Sequence, residues 1–123
     1  MIGRIVSLES LFRYESAHML PKVPAGHKCG VMHGHSYELT VIVRGPIRED
    51  GFVIDFTDIK DAVNPLVKLL DHQTLNDIDG LSNPTVEAQL VWLWDRLTAL
   101  PCLWELRLRE TANNSASYFG PYG

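Results

Sequence analysis

The sequence predicts an α+β fold in which two helices pack on one face of an antiparallel β-sheet. Two long segments in the first 44 residues alternate between apolar and polar side chains, which is the two-residue period of a strand. Two segments with helical spacing follow, over residues 56–70 and 83–98, and alternation returns over residues 103–110. Strands that flank a group of helices favour one sheet with the helices layered together.

The first two predicted strands span residues 4–18 and about 33–44, and a loop containing two prolines and two glycines separates them. Each strand has one largely apolar face that also carries histidine. The first face holds Val6, Leu8, Phe12, Tyr14 and His18, and the second holds His33, His35, Tyr37, Leu39, Val41 and Val43. A hairpin would place the histidine-bearing ends of the two strands side by side.

A short returning strand is predicted from Phe52 to Asp55, after the turn signals Gly45-Pro46 and Glu49-Asp50-Gly51. The next segment repeats its apolar residues at helical spacing up to Leu70, and Thr57 is the predicted N-cap. Pro65 falls inside this helix, so we expect it to kink the helix or restart it after Asn64.

The second helix is predicted to begin at Asn83-Pro84, with Asn83 as the cap and Pro84 at the first helical position, and to continue to about Thr98. The final strand runs from Leu103 to Glu110. Its alternation places Trp104, Leu106, Leu108 and Glu110 on one face.

Composition narrows the class of protein. The 123 residues fit one domain, 1–123, and 11 basic against 15 acidic side chains give a net charge of −4. No cluster of Lys and Arg is present, which argues against a nucleic-acid or anionic-membrane surface. No apolar run reaches the ~20 residues of a membrane span, and the N-terminus leads into no signal-peptide core. We therefore expect a cytoplasmic protein.

Three histidines carry the strongest chemical signal. His33 and His35 are two residues apart on one strand and share a face, and His18 ends the neighbouring strand. All three continue the apolar faces of their strands. Imidazoles that converge in this way, with no obvious fourth ligand, are typical of a catalytic zinc site with an open position.

Cys29 lies four residues before His33, in a loop that also contains His27 and Lys28. Neighbouring cations lower the pKa of a thiol towards the reactive range. The residues themselves leave two functional roles open, a fourth zinc ligand and a general base near the metal.

Two acidic positions complete the candidate set. Asp71 and His72 follow the first helix, where they can form either a polar helix end or a proton-transfer pair. Glu110 continues the apolar face of its strand, and a carboxylate at the edge of the core needs a partner. That partner is either an Arg or a ligand with two parallel N–H donors, such as the guanidine-like edge of a flat heterocycle.

Five motifs, taken together and in this order, resemble the 6-pyruvoyl-tetrahydropterin synthase family. They are Tyr14-Glu15-Ser16-Ala17-His18, the segment Gly26 to His35 with Cys29 and His33-Gly34-His35, Leu70-Asp71-His72-Gln73-Thr74-Leu75-Asn76, Asn83-Pro84-Thr85-Val86-Glu87 and Glu110-Thr111. The short gap between Cys29 and His33 resembles the bacterial branch, whose members form 6-carboxy-5,6,7,8-tetrahydropterin. Tyr14 replaces a usual Phe, and Glu15-Ser16 is more polar than the common pair.

The resemblance implies a tunnelling fold whose sheets assemble into a barrel, with two trimers stacked as a homohexamer. It implies zinc on His18, His33 and His35, and a proton-transfer set of Cys29, Asp71 and His72 assembled between subunits. Glu110 would anchor the pterin, with Thr85 and Glu87 near its ring. Lys28, His27 and Arg13 are the candidates nearest in sequence for binding the triphosphate.

The implied reaction converts 7,8-dihydroneopterin triphosphate into the carboxypterin, acetaldehyde and triphosphate, within 7-deazaguanine or queuosine-type biosynthesis. Two alternatives stay open at this point. One is triphosphate elimination without carbon–carbon cleavage, which gives 6-pyruvoyl-tetrahydropterin. The other is a non-catalytic protein in which Cys29 closes the zinc coordination sphere.

Overall fold

The computed structural model describes all 123 residues and contains a five-stranded sheet with two helices. The strands are β1 (Ile5–His18), β2 (His33–Pro46), β3 (Gln73–Thr74), β4 (Leu103–Glu110) and β5 (Asn114–Tyr118), and the helices are α1 (Phe56–Leu70) and α2 (Val86–Asp95). The sheet order is β3-β1-β2-β4-β5. All pairs are antiparallel except the two-residue parallel contact of β3 with β1. The predicted α+β class is confirmed.

The β1–β2 hairpin is the centre of the sheet and follows the predicted pattern. Its ladder is unbroken from Ile5 opposite Pro46 to His18 opposite His33. Even-numbered residues near the end of β1 are buried, including Phe12 and Tyr14. Helix α1 packs on β1, and α2 packs on β4 and β5, so the apolar core lies between this face and the helices. Neither helix is long and apolar enough to cross a membrane.

The predicted strand from Phe52 to Asp55 is wrong. The Phe52 carbonyl accepts from the Arg48 N–H at 2.9 Å, and the Asp50 carboxylate accepts from the Phe52 N–H at 3.0 Å, which closes a turn. Val53 and Ile54 are both buried although they are consecutive, so this segment has no alternating face. Local polar contacts and burial of both side chains outweigh strand pairing here.

Both predicted helix caps are displaced. Asp55, and not Thr57, caps α1 by accepting from the Thr57 N–H at 2.8 Å. Thr85, and not Asn83, caps α2, which begins two residues later than predicted and ends at Asp95. In each case the residue directly before the first helical residue supplies the side-chain oxygen that accepts from a free N–H of the first turn.

Helix α1 continues through Pro65 without restarting. Pro65 and Asp61, whose carbonyl loses its helical partner, are both exposed. Water can therefore satisfy that carbonyl, and the cost of proline inside a helix is reduced accordingly.

A bulge in β4 and the additional strand β5 are the other departures. The register shifts between Ile42 and Val43, so Trp104 leaves the inward face and is 45% exposed, with the Arg44 guanidinium 4.8 Å from its ring centre. Strand β5 contains three small polar residues in five, and such a composition gives little strand signal.

Candidate metal centre and active site

The β1–β2 hairpin brings three imidazoles together. His18 and His33 lie directly opposite each other in the ladder, and His35 lies two residues further along β2 on the same face. One ring nitrogen from each residue lies within 4.8 Å of the other two. The predicted convergence of the three side chains is confirmed.

Hydrogen bonds fix the protonation of the first two rings. Nδ1 of His18 is 2.9 Å from the Pro84 carbonyl oxygen, and Nδ1 of His33 is 2.6 Å from the Val31 carbonyl oxygen. Because a carbonyl only accepts, each Nδ1 carries a hydrogen, which leaves Nε2 of each ring as the atom available to a metal. The two Nε2 atoms are 3.0 Å apart. Two ring nitrogens at this distance share either a proton or a metal ion.

The third ring is held in a similar way. Nδ1 of His35 is 2.8 Å from the Thr111 hydroxyl, and Nε2 of His35 is 3.5 Å from a carboxylate oxygen of Glu110. All three rings therefore have a hydrogen-bonded Nδ1, which leaves Nε2 of each ring available as the ligand atom. Metal-binding histidines show this arrangement, because the second nitrogen fixes the tautomer and the ring orientation. The donor set fits zinc with three protein ligands and an open fourth position.

A buried polar chain supports His18 from the side of α2. The Tyr14 hydroxyl donates to Oε1 of Gln89 at 2.8 Å, and Nε2 of Gln89 donates to the Pro84 carbonyl at 3.0 Å, the same oxygen that His18 uses. Burial is the main cause that lowers the pKa of His18, which favours the neutral form that a metal needs. Gln89 was not predicted from the sequence. The one sequence feature that marks it is its position four residues before Leu93, which puts a polar side chain on the buried face of α2.

Glu110 lies beside an aromatic wall, as its place on β4 predicted. It pairs with Tyr37 in the β2–β4 ladder, and Tyr37 stacks on Tyr14 with ring centres 5.0 Å apart. Burial, with a smaller contribution from the Glu110 charge, raises the pKa of both tyrosines, so these hydroxyls stay neutral. No Arg or Lys pairs with Glu110. Of the two partners expected for this carboxylate, the Arg is absent, and the imidazole of His35, with Nε2 at 3.5 Å, is the only side-chain nitrogen at ion-pair distance.

Asp71 and His72 form a pair at the β3 edge. Oδ2 of Asp71 is 2.9 Å from Nδ1 of His72, and Oδ1 accepts from the Glu15 N–H at 2.9 Å. The Glu15 N–H first, and His72 second, lower the pKa of the Asp71 carboxyl. The His72 side chain is 79% exposed and lines an open groove of about 470 Å³ together with Gly34 and His35. The pair therefore exists, and it faces solvent within one chain.

Cys29 lies in a 3₁₀ turn, Lys28–Gly30, where its N–H donates to Nδ1 of His27 at 3.0 Å. Its thiol is not among the grouped ligand atoms of the three histidines, and it forms no hydrogen bond with Asp71 or His72. One chain therefore assembles the histidine cluster but does not bring the predicted proton-transfer set together.

The other residues predicted to contact the substrate, which include Thr85, Glu87 and Lys28, lie outside the histidine cluster. The Thr85 hydroxyl accepts from the Ala88 N–H at 3.1 Å, so it already caps α2. Glu87 lies in the first turn of α2 and lines a separate groove with Trp92 and Arg96. Lys28 is exposed and makes no ion pair.

Comparison with known proteins decides the family. The model of the 6-pyruvoyl tetrahydropterin synthase family matches residues 7–121. The chain belongs to this family. A 6-carboxy-5,6,7,8-tetrahydropterin synthase from Synechocystis is 39% identical over 118 residues, covering 89% of this chain and 90% of that protein. A 6-pyruvoyl tetrahydrobiopterin synthase from Drosophila melanogaster is 38% identical over 99 residues, covering 73% of this chain and 59% of that protein.

The fold comparison agrees with the sequence comparison. The structure of a Caenorhabditis elegans 6-pyruvoyl tetrahydropterin synthase superposes with a TM-score of 0.88, over 98% of this chain and 99% of that chain, at 24% identity. The predicted tunnelling fold is confirmed, and so is the prediction that the chain is an enzyme of this synthase family.

Proposed function

We propose that the chain is a zinc-dependent carbon–carbon lyase. It converts 7,8-dihydroneopterin triphosphate and water into 6-carboxy-5,6,7,8-tetrahydropterin, acetaldehyde and triphosphate. The observation that carries the proposal is the convergence of one ring nitrogen from each of three histidines whose Nδ1 atoms are hydrogen-bonded. The name of the Synechocystis relative, which spans nearly the whole chain, supports this reaction over others in the family.

His18, His33 and His35 are the proposed zinc ligands, each through Nε2. When bound, zinc supplies a Lewis acid that lowers the pKa of a coordinated hydroxyl group. The separation of Cys29 from the grouped nitrogen atoms argues against a closed structural site with sulfur as fourth ligand. The fourth position is therefore left for the substrate.

Cys29 is the proposed general base that removes a proton from the substrate side chain as the thiolate. Asp71 holds His72 through its Nδ1, and His72 lines the groove, so the other ring nitrogen is proposed to exchange a proton at the following step. Because the thiol and this pair are apart in one chain, we propose that a neighbouring subunit supplies one of them.

Glu110 is the proposed anchor for the pterin ring. Its carboxylate has no Lys or Arg at ion-pair distance, and it can accept two parallel hydrogen bonds from a guanidine-like edge. Thr85 and Glu87 are proposed to lie near the ring in the assembled enzyme. Lys28 and His27, both exposed in the loop before β2, are proposed to bind the triphosphate.

The proposed assembly is a homohexamer of two stacked trimers, with residues 1–123 acting as one pterin-binding domain. We place the reaction in the cytoplasm, since a free Cys29 thiol is needed as base and that compartment keeps thiols reduced. The carboxypterin product is proposed to enter 7-deazaguanine biosynthesis of the queuosine type, for a modified transfer RNA base or a small-molecule deazapurine.

One incubation tests the reaction. The purified zinc-loaded protein is mixed with 7,8-dihydroneopterin triphosphate, and the products are identified by mass spectrometry together with an assay for acetaldehyde. We expect 6-carboxy-tetrahydropterin and one acetaldehyde for each substrate consumed. Cys102→Ala, which changes the other free cysteine, should behave like the parent protein.

The Drosophila relative, whose name is that of the pyruvoyl-forming enzyme, supports a second candidate reaction. Triphosphate release with 6-pyruvoyl-tetrahydropterin and no acetaldehyde would replace the proposed lyase with this activity. No turnover of the substrate by zinc-loaded protein would contradict both reactions.

A further inference from the structure

Thr111 has an unusual backbone conformation directly after the end of β4. Its φ of 54° lies in the left-handed region, which a β-branched residue rarely adopts. The neighbouring Ala112, Asn113 and Asn114 do not share this conformation. A strained backbone persists only where the surrounding structure requires it, so the strain at Thr111 indicates a positional role for this residue.

The strained residue touches the metal centre. The Thr111 hydroxyl is 2.8 Å from Nδ1 of His35, and the Thr111 N–H donates to the Ser36 carbonyl at 2.8 Å. The backbone bond ties Thr111 to β2 one residue beyond His35. The hydroxyl is therefore fixed to the same strand as the ring that it contacts.

His35 differs from the other two rings in the source of its support. His18 and His33 rest on backbone carbonyls, which remain whatever the side chain is. His35 alone rests on a side-chain hydroxyl, and its other nitrogen lies 3.5 Å from the carboxylate of Glu110. Without the Thr111 hydroxyl, Nδ1 of His35 has no hydrogen-bond partner, and the Glu110 carboxylate is the only polar group left to orient the ring.

We propose that Thr111 is a positioning residue for the metal centre, whose hydroxyl accepts from Nδ1–H of His35 and aims Nε2 at the ion. The left-handed backbone is retained because it places that hydroxyl at hydrogen-bond distance. This inference rests on the zinc site of the proposed function and does not depend on the reaction.

The test measures zinc affinity with a competing chelator, together with the thermal midpoint of the metal-free protein. Thr111→Val removes the hydroxyl and keeps the β-branched shape, Thr111→Ser keeps the hydroxyl, and Thr57→Val removes an exposed hydroxyl from α1 as a control. Thr111→Gly removes the hydroxyl while relieving the left-handed strain, so it still reports if the valine variant fails to fold.

We expect Thr111→Val and Thr111→Gly to bind zinc about 10- to 100-fold more weakly, in the range for an outer partner of a metal ligand. Thr111→Ser and Thr57→Val should remain close to the parent, and Thr111→Gly should melt no lower than the parent. Parent-like zinc affinity in Thr111→Gly would overturn the inference and leave the proposed function intact. A parent protein that binds no zinc would overturn the zinc site and this inference with it.

Discussion

The histidine cluster and the Asp71–His72 edge are two parts of one candidate site, and they are built differently. His18 is 1% exposed and its ring is fixed by the Pro84 carbonyl and the buried Gln89 behind it. The His72 side chain is 79% exposed and is held by Asp71 alone. One chain therefore brings the three imidazoles together, whereas it leaves His72 exposed and without a hydrogen bond to Cys29.

Folding of one chain is sufficient to position the three histidines, whereas the proposed proton-transfer set also requires the assembly of subunits. The ladder of a single hairpin places the three proposed zinc ligands, so we expect a folded single chain to bind the ion. Within the chain, the Cys29 carbonyl accepts from the Leu20 N–H and the Cys29 N–H donates to His27, but Cys29 forms no hydrogen bond with Asp71 or His72. Metal binding should therefore survive changes that abolish turnover.

The largest expected effect comes from His33→Ala. Removal of one of three nitrogen ligands leaves two, and we expect the purified protein to lose its zinc and its activity together. Metal content by mass spectrometry checks this result. Full zinc occupancy in the variant would show that the ligand set is wrong.

Cys29→Ala should impair turnover without affecting zinc binding. We expect turnover to fall at least ~100-fold, the low end for a positioned base, while zinc content stays equal to that of the parent. Cys102→Ala serves as the matched control, because it also removes a free thiol. Loss of zinc from Cys29→Ala would make Cys29 a ligand and would refute the proposed mechanism.

The buried chain behind His18 should be a stability element. Gln89→Leu leaves the buried Tyr14 hydroxyl without an acceptor, and we expect a loss of about 1–3 kcal/mol in the free energy of unfolding. Adding Tyr14→Phe should recover part of that loss, because it removes the orphaned hydroxyl. Urea unfolding of the metal-free proteins measures both. Strictly additive losses would show that the two residues are not coupled.

Asp71→Asn is expected to have the smallest effect. It keeps a hydrogen-bond acceptor next to His72 but loses the charge, so turnover should fall roughly tenfold with zinc binding unchanged. The pKa of Asp71 is lowered in the folded protein, so its stabilising contribution is present above the ordinary aspartate value of about 3.9 and is lost as the pH falls through the lower folded value. Thermal melts of parent and variant should therefore converge in acid. A constant difference across that range would contradict the assignment.

The sequence predicted the parts of the fold that have strong periodicity. The alternation in β1 and β2 was enough to place His18 beside His33, because the register of one hairpin follows from its pattern. The short segments were predicted less well. Phe52–Asp55 forms a turn with local polar contacts instead of a strand, and β5 lacks apolar alternation, so its pairing with β4 decides its conformation.

The candidate site divides in the same way. The three imidazoles were predictable, since residue type and strand parity determine where they point. Gln89 and the Thr111 hydroxyl act through the tertiary arrangement of α2 and β4 against β1 and β2, which no local pattern encodes. The location of Cys29 relative to His72 was not predictable for one chain, because the proposed contact lies between chains.

X-ray absorption at the zinc edge of the loaded protein tests the central claim most directly. We predict one zinc ion per chain, three imidazole nitrogens at about 2.0–2.1 Å, and no sulfur in the first coordination shell. A sulfur scatterer at about 2.3 Å would instead place Cys29 on the ion and contradict the proposed open site.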